Sequence, residues 1–339
     1  MGKTLVTIKD VAQQAGVSVA TVSRALNGHH NVAEPVRKAV LDVANRLHYT
    51  PNAAARSLSS RRTQTIGVVL PDLYGEFFSE LMRGIDGVAR ARGMHLLVSS
   101  YHGDPVQQRA ALRTMTGRVD GVLLLSPYAQ DEASIAAPDL PTVLINSYAT
   151  AGSLPAVNVD NYDGARAMTE HLLAAGHRTI AFIAGPPDNL DACERRRGFT
   201  DAMAGAKGAV PQEIAGNFDE ASGHRAGQQL LAGPALPDAV FAANDMMALG
   251  CLYAFAQAGV GVPAQVALAG FDDIPLARFV HPSLTTMQVS IAALGGRAMS
   301  LLLQWIDGGK QPAQSGTTLA PVLVVRDSSP LSATPTISS

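Results

Sequence analysis

Residues 15–28 read AGVSVATVSRALNG. Gly16 can take the positive φ that ends a helix, and Ser18 is suited to cap the next one. Val22, Ala25 and Leu26 then fall on one face of a short helix, which Asn27-Gly28 stops. The outward positions begin with Val19 and Ala20, and Arg24 is the one long charged side chain among them. Upstream, Thr7-Ile8-Lys9-Asp10 has an N-cap threonine with an acidic residue three positions on. Ile8, Val11, Ala12 and Ala15 follow at helical spacing. Downstream, Val36, Val40, Val43 and Leu47 line one side of a third helix, with Pro35 tolerated in its first turn.

A helix, a tight glycine turn and a second helix of this size form a helix-turn-helix unit, whose second helix enters the DNA major groove. The short Val19 and Ala20 let that helix approach the groove floor and place methyls on thymine, while Arg24 can make a forked bond to guanine. Ser18, Thr21, Ser23, Asn27, Asn31, Tyr49 and Asn52 are candidates for backbone phosphates, which position without reading sequence. An ordinary helical hairpin with small surface residues fits the same pattern.

Charge separates along the chain. Residues 1–62 carry nine Lys and Arg against three acidic residues, a net +6, while the whole 339-residue chain is −2 and the remainder therefore −8. A basic head on an acidic body suits a polyanion such as double-stranded DNA, although a solvated surface has the same composition. Two distant cysteines, Cys193 and Cys251, suggest unpaired thiols rather than a disulfide or zinc framework, and Cys193 is expected to be small and buried. No apolar run reaches the ~20 residues of a membrane span. The opening MGKTLVTIKDVAQ lacks a secretory apolar region. Met1-Gly2 hints at myristoylation, but Val6 stands where that motif wants Ser or Thr. The expected location is the cytoplasm, with no membrane partner.

Residues 1–50 form the head, and YTPNAAARSLSSRRTQT leads out of it. A helix there is too short to be stable alone, so 51–64 reads as a hinge that orders on DNA. Leu58 is then a wedge for the minor groove, or else a leucine packing on the next domain. From residue 65 apolar strands alternate with amphipathic helices, and TIGVVLP and TIAFIAGP are two similar starts. This predicts parallel sheets covered by helices in two lobes over residues 65–327. The Ser/Thr/Pro-rich 328–339 reads as a disordered tail without a leucine heptad, favouring a dimer over a coiled-coil tetramer.

Open α/β sheets bind ligands beyond the carboxyl ends of their strands. Asp272 after VALAGF, Asn244-Asp245 after AVFAA, Arg195 in DNLDACERRRG and Phe218 in GNFDEASG stand at such places, with Phe77, Phe78 and Asn146 on the opposite lobe. A carboxylate accepts hydroxyls, an arginine makes forked bonds to ligand oxygens, and an aromatic ring covers the apolar face of a sugar. Asp245 and Asp273 are equally well read as helix caps, and Phe77 as core.

TIKDVAQQAGVSVATVSRALNG, YTPNAAARSL, IGVVLPDL, GHRTIAFIAGP, FAANDMMALG, GFDDIPLARFVHPSLTT and VVRDSS, in that order, resemble the LacI/GalR family of bacterial transcriptional regulators across essentially the whole chain. The resemblance implies an all-α helix-turn-helix head plus hinge helix, joined to an α/β two-lobed periplasmic-binding-protein-like (type I) body. It implies a homodimer reading a near-palindromic operator, base-reading roles for Val19, Ala20 and Arg24, and a wedge role for Leu58. It also implies chain crossings near 160, 290 and 320. The first lobe is then about 65–160 plus 291–320, and the second about 161–290 plus 321–327. The family's sugar-contacting positions fall on Arg195, Asn244, Asp272, Phe218, Asn146 and Asp191. One departure is Ala33, where the family has Ser or Thr; the third helix loses a cap worth ~1 kcal/mol.

No G-x-S-x-G, G-x-x-x-x-G-K-[ST], H-E-x-x-H or strand-borne G-x-G-x-x-G occurs, which argues against an enzyme and requires no cofactor. A secreted solute-binding protein would share the body but not the basic head. The expectation is a sugar-released repressor of carbohydrate-utilisation genes. The alternative is the same regulator answering to a purine or nucleoside, or needing a co-repressor.

Overall fold

The computed structural model describes residues 6–26, 31–49, 62–128, 140–147, 154–312 and 316–331. The chain divides into two compact units, Met1–Thr63 and Gln64–Ser339.

The head holds α1 (Ile8–Ala15), α2 (Val19–Leu26) and α3 (Glu34–Arg46). Its core is small: Val11, Val22 and Val40 are fully buried, with Ala12, Ala25, Val43 and Ala44 around them. Thr7 donates both its backbone N–H and its hydroxyl to Asp10 Oδ2 at 2.8 Å, which fixes the entry to α1. Gly16 ends that helix at φ +65°, and the next N–H, of Val17, returns to the Ala12 carbonyl at 3.1 Å. Ser18 Oγ then accepts from Thr21 N at 3.1 Å and starts α2. Ala33 precedes α3 with no side-chain cap, Pro35 lies in the first turn, and Arg37 Nη1 donates to the Ala25 carbonyl at 3.4 Å, tying α3 to the end of α2.

The body has two lobes of like topology. The first contains β1 (Thr65–Leu70), α4 (Glu76–Ala91), β2 (His95–Ser100), α5 (Pro105–Met115), β3 (Gly121–Leu125), β4 (Thr142–Ile145) and β5 (Ala156–Val159). The second contains α6 (Asn161–Ala174), β6 (Thr179–Ala184), α7 (Leu190–Gly205), β7 (Val210–Ala215), α8 (Glu220–Leu231), β8 (Ala239–Ala242), α9 (Asp245–Gln257) and β9 (Ala267–Ala269). A short antiparallel ladder pairs β10 (Thr286–Gln288) with β12 (Val322–Val324). Between these, α10 (Ile291–Gly308) packs on α4 and β11 (Gly316–Leu319) joins the first sheet beside β5. The chain therefore passes between lobes after Val159, after Gln288 and after Leu319.

Both sheets are parallel, in the orders β11-β5-β4-β3-β1-β2 and β7-β6-β8-β9. Central strands such as GVLLL (121–125) and AVFA (239–242) are buried throughout, as strands covered on both faces must be. All the β1, β3, β6 and β8 strands point their carboxyl ends toward the space between the lobes, and the loops that follow them build the site. Among the described residues no helix is long and apolar enough to cross a membrane.

Candidate functional site

The head presents a solvent-facing strip on α2. Val19 is 41% exposed, Ala20 and Arg24 are exposed beside it, and Val22 and Ala25 anchor the opposite face. Ser18 and Asn31 are exposed, whereas Thr21 and Ser23 are half-buried. The Ser18 and Thr21 hydroxyls lie 2.9 Å apart, so each already has a protein partner while capping the helix. Tyr49 is half-buried against the head core. Asn27, Asn52 and Leu58 lie outside the described residues, as do 332–339; the tail expected to be disordered from 328 instead begins with Ser328 and Ser329 fully buried, Ser328 Oγ donating to the Leu268 carbonyl at 2.6 Å.

In the body, a cleft of about 350 Å³ opens between the lobes, and all seven candidate effector contacts line it: Phe78 and Asn146 from the first lobe, Asp191, Arg195, Phe218, Asn244 and Asp272 from the second. Each stands just beyond a strand or in the first two turns of the helix after one. Phe77 also reaches the cleft, edge-on to Phe78 at 5.6 Å, and packs against the core as well.

The polar floor is a single network. Arg195, 4% exposed, donates from Nε to Asn161 Oδ1 at 2.8 Å and from Nη1 to the Ala243 carbonyl at 2.6 Å. Its Nη2 lies 3.1 Å from Asp272 Oδ1. The guanidinium also stacks 3.9 Å from the centre of the Phe271 ring. Asp191 accepts from Asn146 Nδ2 at 2.9 Å and from Asn161 Nδ2 at 2.8 Å, joining the two lobes. The donors of Arg195 from which forked ligand bonds were expected are thus engaged by protein groups, as the burial of a guanidinium demands.

Asn244 behaves similarly. Its Oδ1 caps α9 by accepting from Met247 N at 3.0 Å, and its Nδ2 donates to the Phe218 carbonyl at 2.9 Å, so it positions the Phe218 loop. Asn146, Phe218 and Asp272 all sit at positive φ (+45°, +63° and +113°), a cost held in place by the surrounding structure.

Two sequence expectations change. Asp245 and Asp273 are not helix caps: Asp245 is fully buried, accepting from Thr286 Oγ1 at 2.6 Å and Ile274 N at 3.0 Å, and Asp273 accepts from Gln288 Nε2 at 2.8 Å and Arg326 Nη2 at 2.6 Å. Both tie the loop after β9 to the crossover strands, because the cap of α9 is taken by Asn244. Cys193 is half-exposed rather than buried, with its thiol donating to the Pro187 carbonyl at 3.2 Å; Cys251 is the buried cysteine. It sits on the solvent side of the first turn of α7, opposite Asp191 and Arg195.

Burial pushes the Asp272 carboxyl up to about 6, with Arg195 pulling it back. Burial also raises Asp245 well above the usual carboxylate range, and the charge of Asp272 adds to it. Asn161 escaped the sequence reading, although it opens the helix after β5 as the other site residues open theirs; the same strand-end rule would have found it. No group of three or more His, Cys, Asp or Glu suited to a metal occurs among the described residues.

Comparison with known proteins places both units. The family model for bacterial regulatory proteins of the lacI family matches residues 7–52, and that for a periplasmic binding protein-like domain matches 169–329. The Ribose operon repressor of Escherichia coli (strain K12) is 36% identical over 332 residues, spanning 96% of this chain and 100% of its own length. The HTH-type transcriptional repressor PurR of Haemophilus influenzae (strain PittEE) is 32% identical over 332 residues, spanning 96% and 98%. Among solved structures, the lac repressor dimer bound to operator and the anti-inducer ONPF superposes with a TM-score of 0.85 at 28% identity, covering 96% of this chain and all of that one.

Proposed function

The chain belongs to the LacI family of bacterial regulatory proteins, and from that premise we propose that it is an effector-controlled transcriptional repressor acting in the cytoplasm. The head reads DNA through α2, with Val19 and Ala20 against thymine methyls and Arg24 forked to guanine. Ser18, Thr21, Ser23, Asn27, Asn31, Tyr49 and Asn52 set its register on phosphates. A homodimer places two such helices on a near-palindromic operator, and Leu58 of the hinge opens the central step from the minor groove.

The exposed Val19–Ala20–Arg24 strip on a capped helix, in a head of net +6, is the observation that carries this reading. The E. coli relative represses a ribose operon by its name, which supports carbohydrate-utilisation genes as the targets. In the cleft, Asp272, Asn146 and Asp191 take the polar face of the effector, with Arg195 fixing their geometry. Phe218 and Phe78 take its apolar faces, and Asn244 holds the Phe218 loop.

Control follows from the crossings between lobes. An effector that binds one lobe arrangement more tightly shifts the population toward it, and DNA must then alter effector affinity by the same factor. Release of DNA by the effector is the direction proposed. The Phe77–Phe78 pair favours a second reading, in which a purine or nucleoside stacks in the cleft or acts as co-repressor. The test is a gel shift on a palindromic duplex with and without Leu58→Ala. Equal affinity of the wild type for a half-site and a full palindrome contradicts the dimeric reading.

A further inference from the structure

We propose that Asn161 is a positioning residue that keeps Asp191 for the opposite lobe. Standing between Asp191 and Arg195, its amide holds the carboxylate aimed at Asn146 and so sets how firmly the two lobes stay together. The inference rests on the reading of an effector-controlled regulator and deepens it, since this is the equilibrium an effector has to shift.

Asn161 is 1% exposed and stands behind the cleft rather than in its lining. It opens α6 directly after the first crossover, where the Asp160 N–H donates to the Leu319 carbonyl at 2.9 Å and ties that crossover to the third. The turn it opens is fixed to the second lobe: a Cβ on Gly164 would come within 2.9 Å of both the Phe271 ring and Pro321. Asn161 therefore moves with the second lobe, at the point where the chain leaves the first.

Asp191 and Arg195 lie one turn apart on α7, acid first, the spacing and order that favour a direct ion pair. Asn161 engages both with the two ends of its amide. Its Oδ1 accepts from Arg195 Nε and its Nδ2 donates to Asp191 Oδ1, each at 2.8 Å. That orientation is fixed by chemistry, because a guanidinium only donates and a carboxylate only accepts. With Oδ1 so held, Asp191 presents Oδ2 to Asn146 Nδ2 of the first lobe at 2.9 Å. Without the amide, Arg195 Nε and Asp191 Oδ1 lose this partner together in one buried site, and direct pairing between them becomes the better arrangement. It draws Asp191 away from Asn146.

A native reporter lies beside this bond. The amide of Leu190, the first residue of α7, donates to the Pro127 carbonyl of the other lobe at 2.7 Å. The amide of Ala192, two residues on, is served within its own lobe by Asn189 Oδ1 at 3.1 Å. Leu190 thus exchanges with solvent when the lobes part, and Ala192 only when α7 frays.

The test is hydrogen exchange resolved to single amides on the full-length chain without added ligand. In Asn161→Ala, Leu190 should exchange at least ~10-fold faster than in the wild type, while Ala192 and Phe182 of β6 change by less than about 2-fold. The double exchange Asn161→Asp with Asp191→Asn keeps all three bonds, with donor and acceptor reversed at one of them. It should bring Leu190 back to within about 3-fold of the wild type. Asn161→Asp alone, which sets two carboxylates face to face, should not; if Asn161→Ala does not fold, this pair of variants decides. Unchanged Leu190 protection in Asn161→Ala overturns the proposal. So does a rise shared equally by Leu190, Ala192 and Phe182, or a double exchange no better than Asn161→Asp alone. A gel shift of the wild type on a palindromic duplex separates the two claims. Intact palindrome binding with any of these failures removes only the role of Asn161; the expected exchange pattern without palindrome preference removes the regulator and leaves the hold between lobes.

Discussion

Asn146, just after β4 of the first lobe, donates its amide to Asp191, in the first turn of α7 of the second, at 2.9 Å. Asp191 accepts in turn from Asn161, which accepts from Arg195, so this bond connects the Arg195–Asp272 pair to the opposite lobe. On the proposed reading of the cleft, an effector touching Asn146 or Asp272 would be linked to both lobes through this chain of bonds.

Asp191→Ala removes the acceptor shared by two buried amides. Each unpaired donor costs about 1–3 kcal/mol, so the urea midpoint of the body should fall with an unchanged slope, and effector binding should be lost. Urea unfolding followed by circular dichroism checks it; an unchanged midpoint would mean the bridge carries no energy.

Effector affinity should depend on pH through Asp272. Its carboxyl sits at about 6 in the folded protein against an ordinary 3.8. The folded state therefore holds this proton more tightly than the unfolded one, and its ionisation removes on the order of 3 kcal/mol of stability as pH rises through that window. Asp245 acts in the same direction, whereas His177, held below its usual value by burial, acts in the opposite one. Affinity is thus the cleaner readout than Tm. A hydroxyl donor prefers the ionised carboxylate, so calorimetry should show binding tightening from pH 5 to 7 and levelling above; a flat profile would remove Asp272 from contact with the effector.

Arg24→Ala should cost ~1–3 kcal/mol on the specific site and relax preference at one position in each half-site. Competition gel shifts against single-base operator variants measure it. Discrimination unchanged from wild type would place base reading elsewhere.

Ala33→Ser restores the missing side-chain cap of α3, whose first-turn N–H groups are now served only by the Ala33 carbonyl. Amide protection across α3 should rise by an amount corresponding to about 0.5–1 kcal/mol. No gain would show that Pro35 and the Glu34–Arg37 pair already hold this terminus.

Local rules made the head readable. The Thr7–Asp10 pair, Gly16 and Ser18 act within four residues of themselves, and their chemistry is visible in the order of residues alone. The cleft residues were legible for a different reason: they stand where strands end, and chain direction puts strand ends on one edge. What each does there was not legible. Arg195 and Asn244 read as ligand groups and both line the cleft, but the sequence cannot reveal that Asn161, Ala243 and Phe218, 26 to 48 residues away, also take up their donors. Asp245 and Asp273 were misread for the same reason, since Thr286 and Arg326 reach them from the returning crossovers.

Selection from a random duplex library with the full-length chain tests the central claim most directly. The account predicts enrichment of a near-palindrome with two matching half-sites on opposite strands. Enrichment of a single half-site, or retention of all duplexes alike, would contradict it.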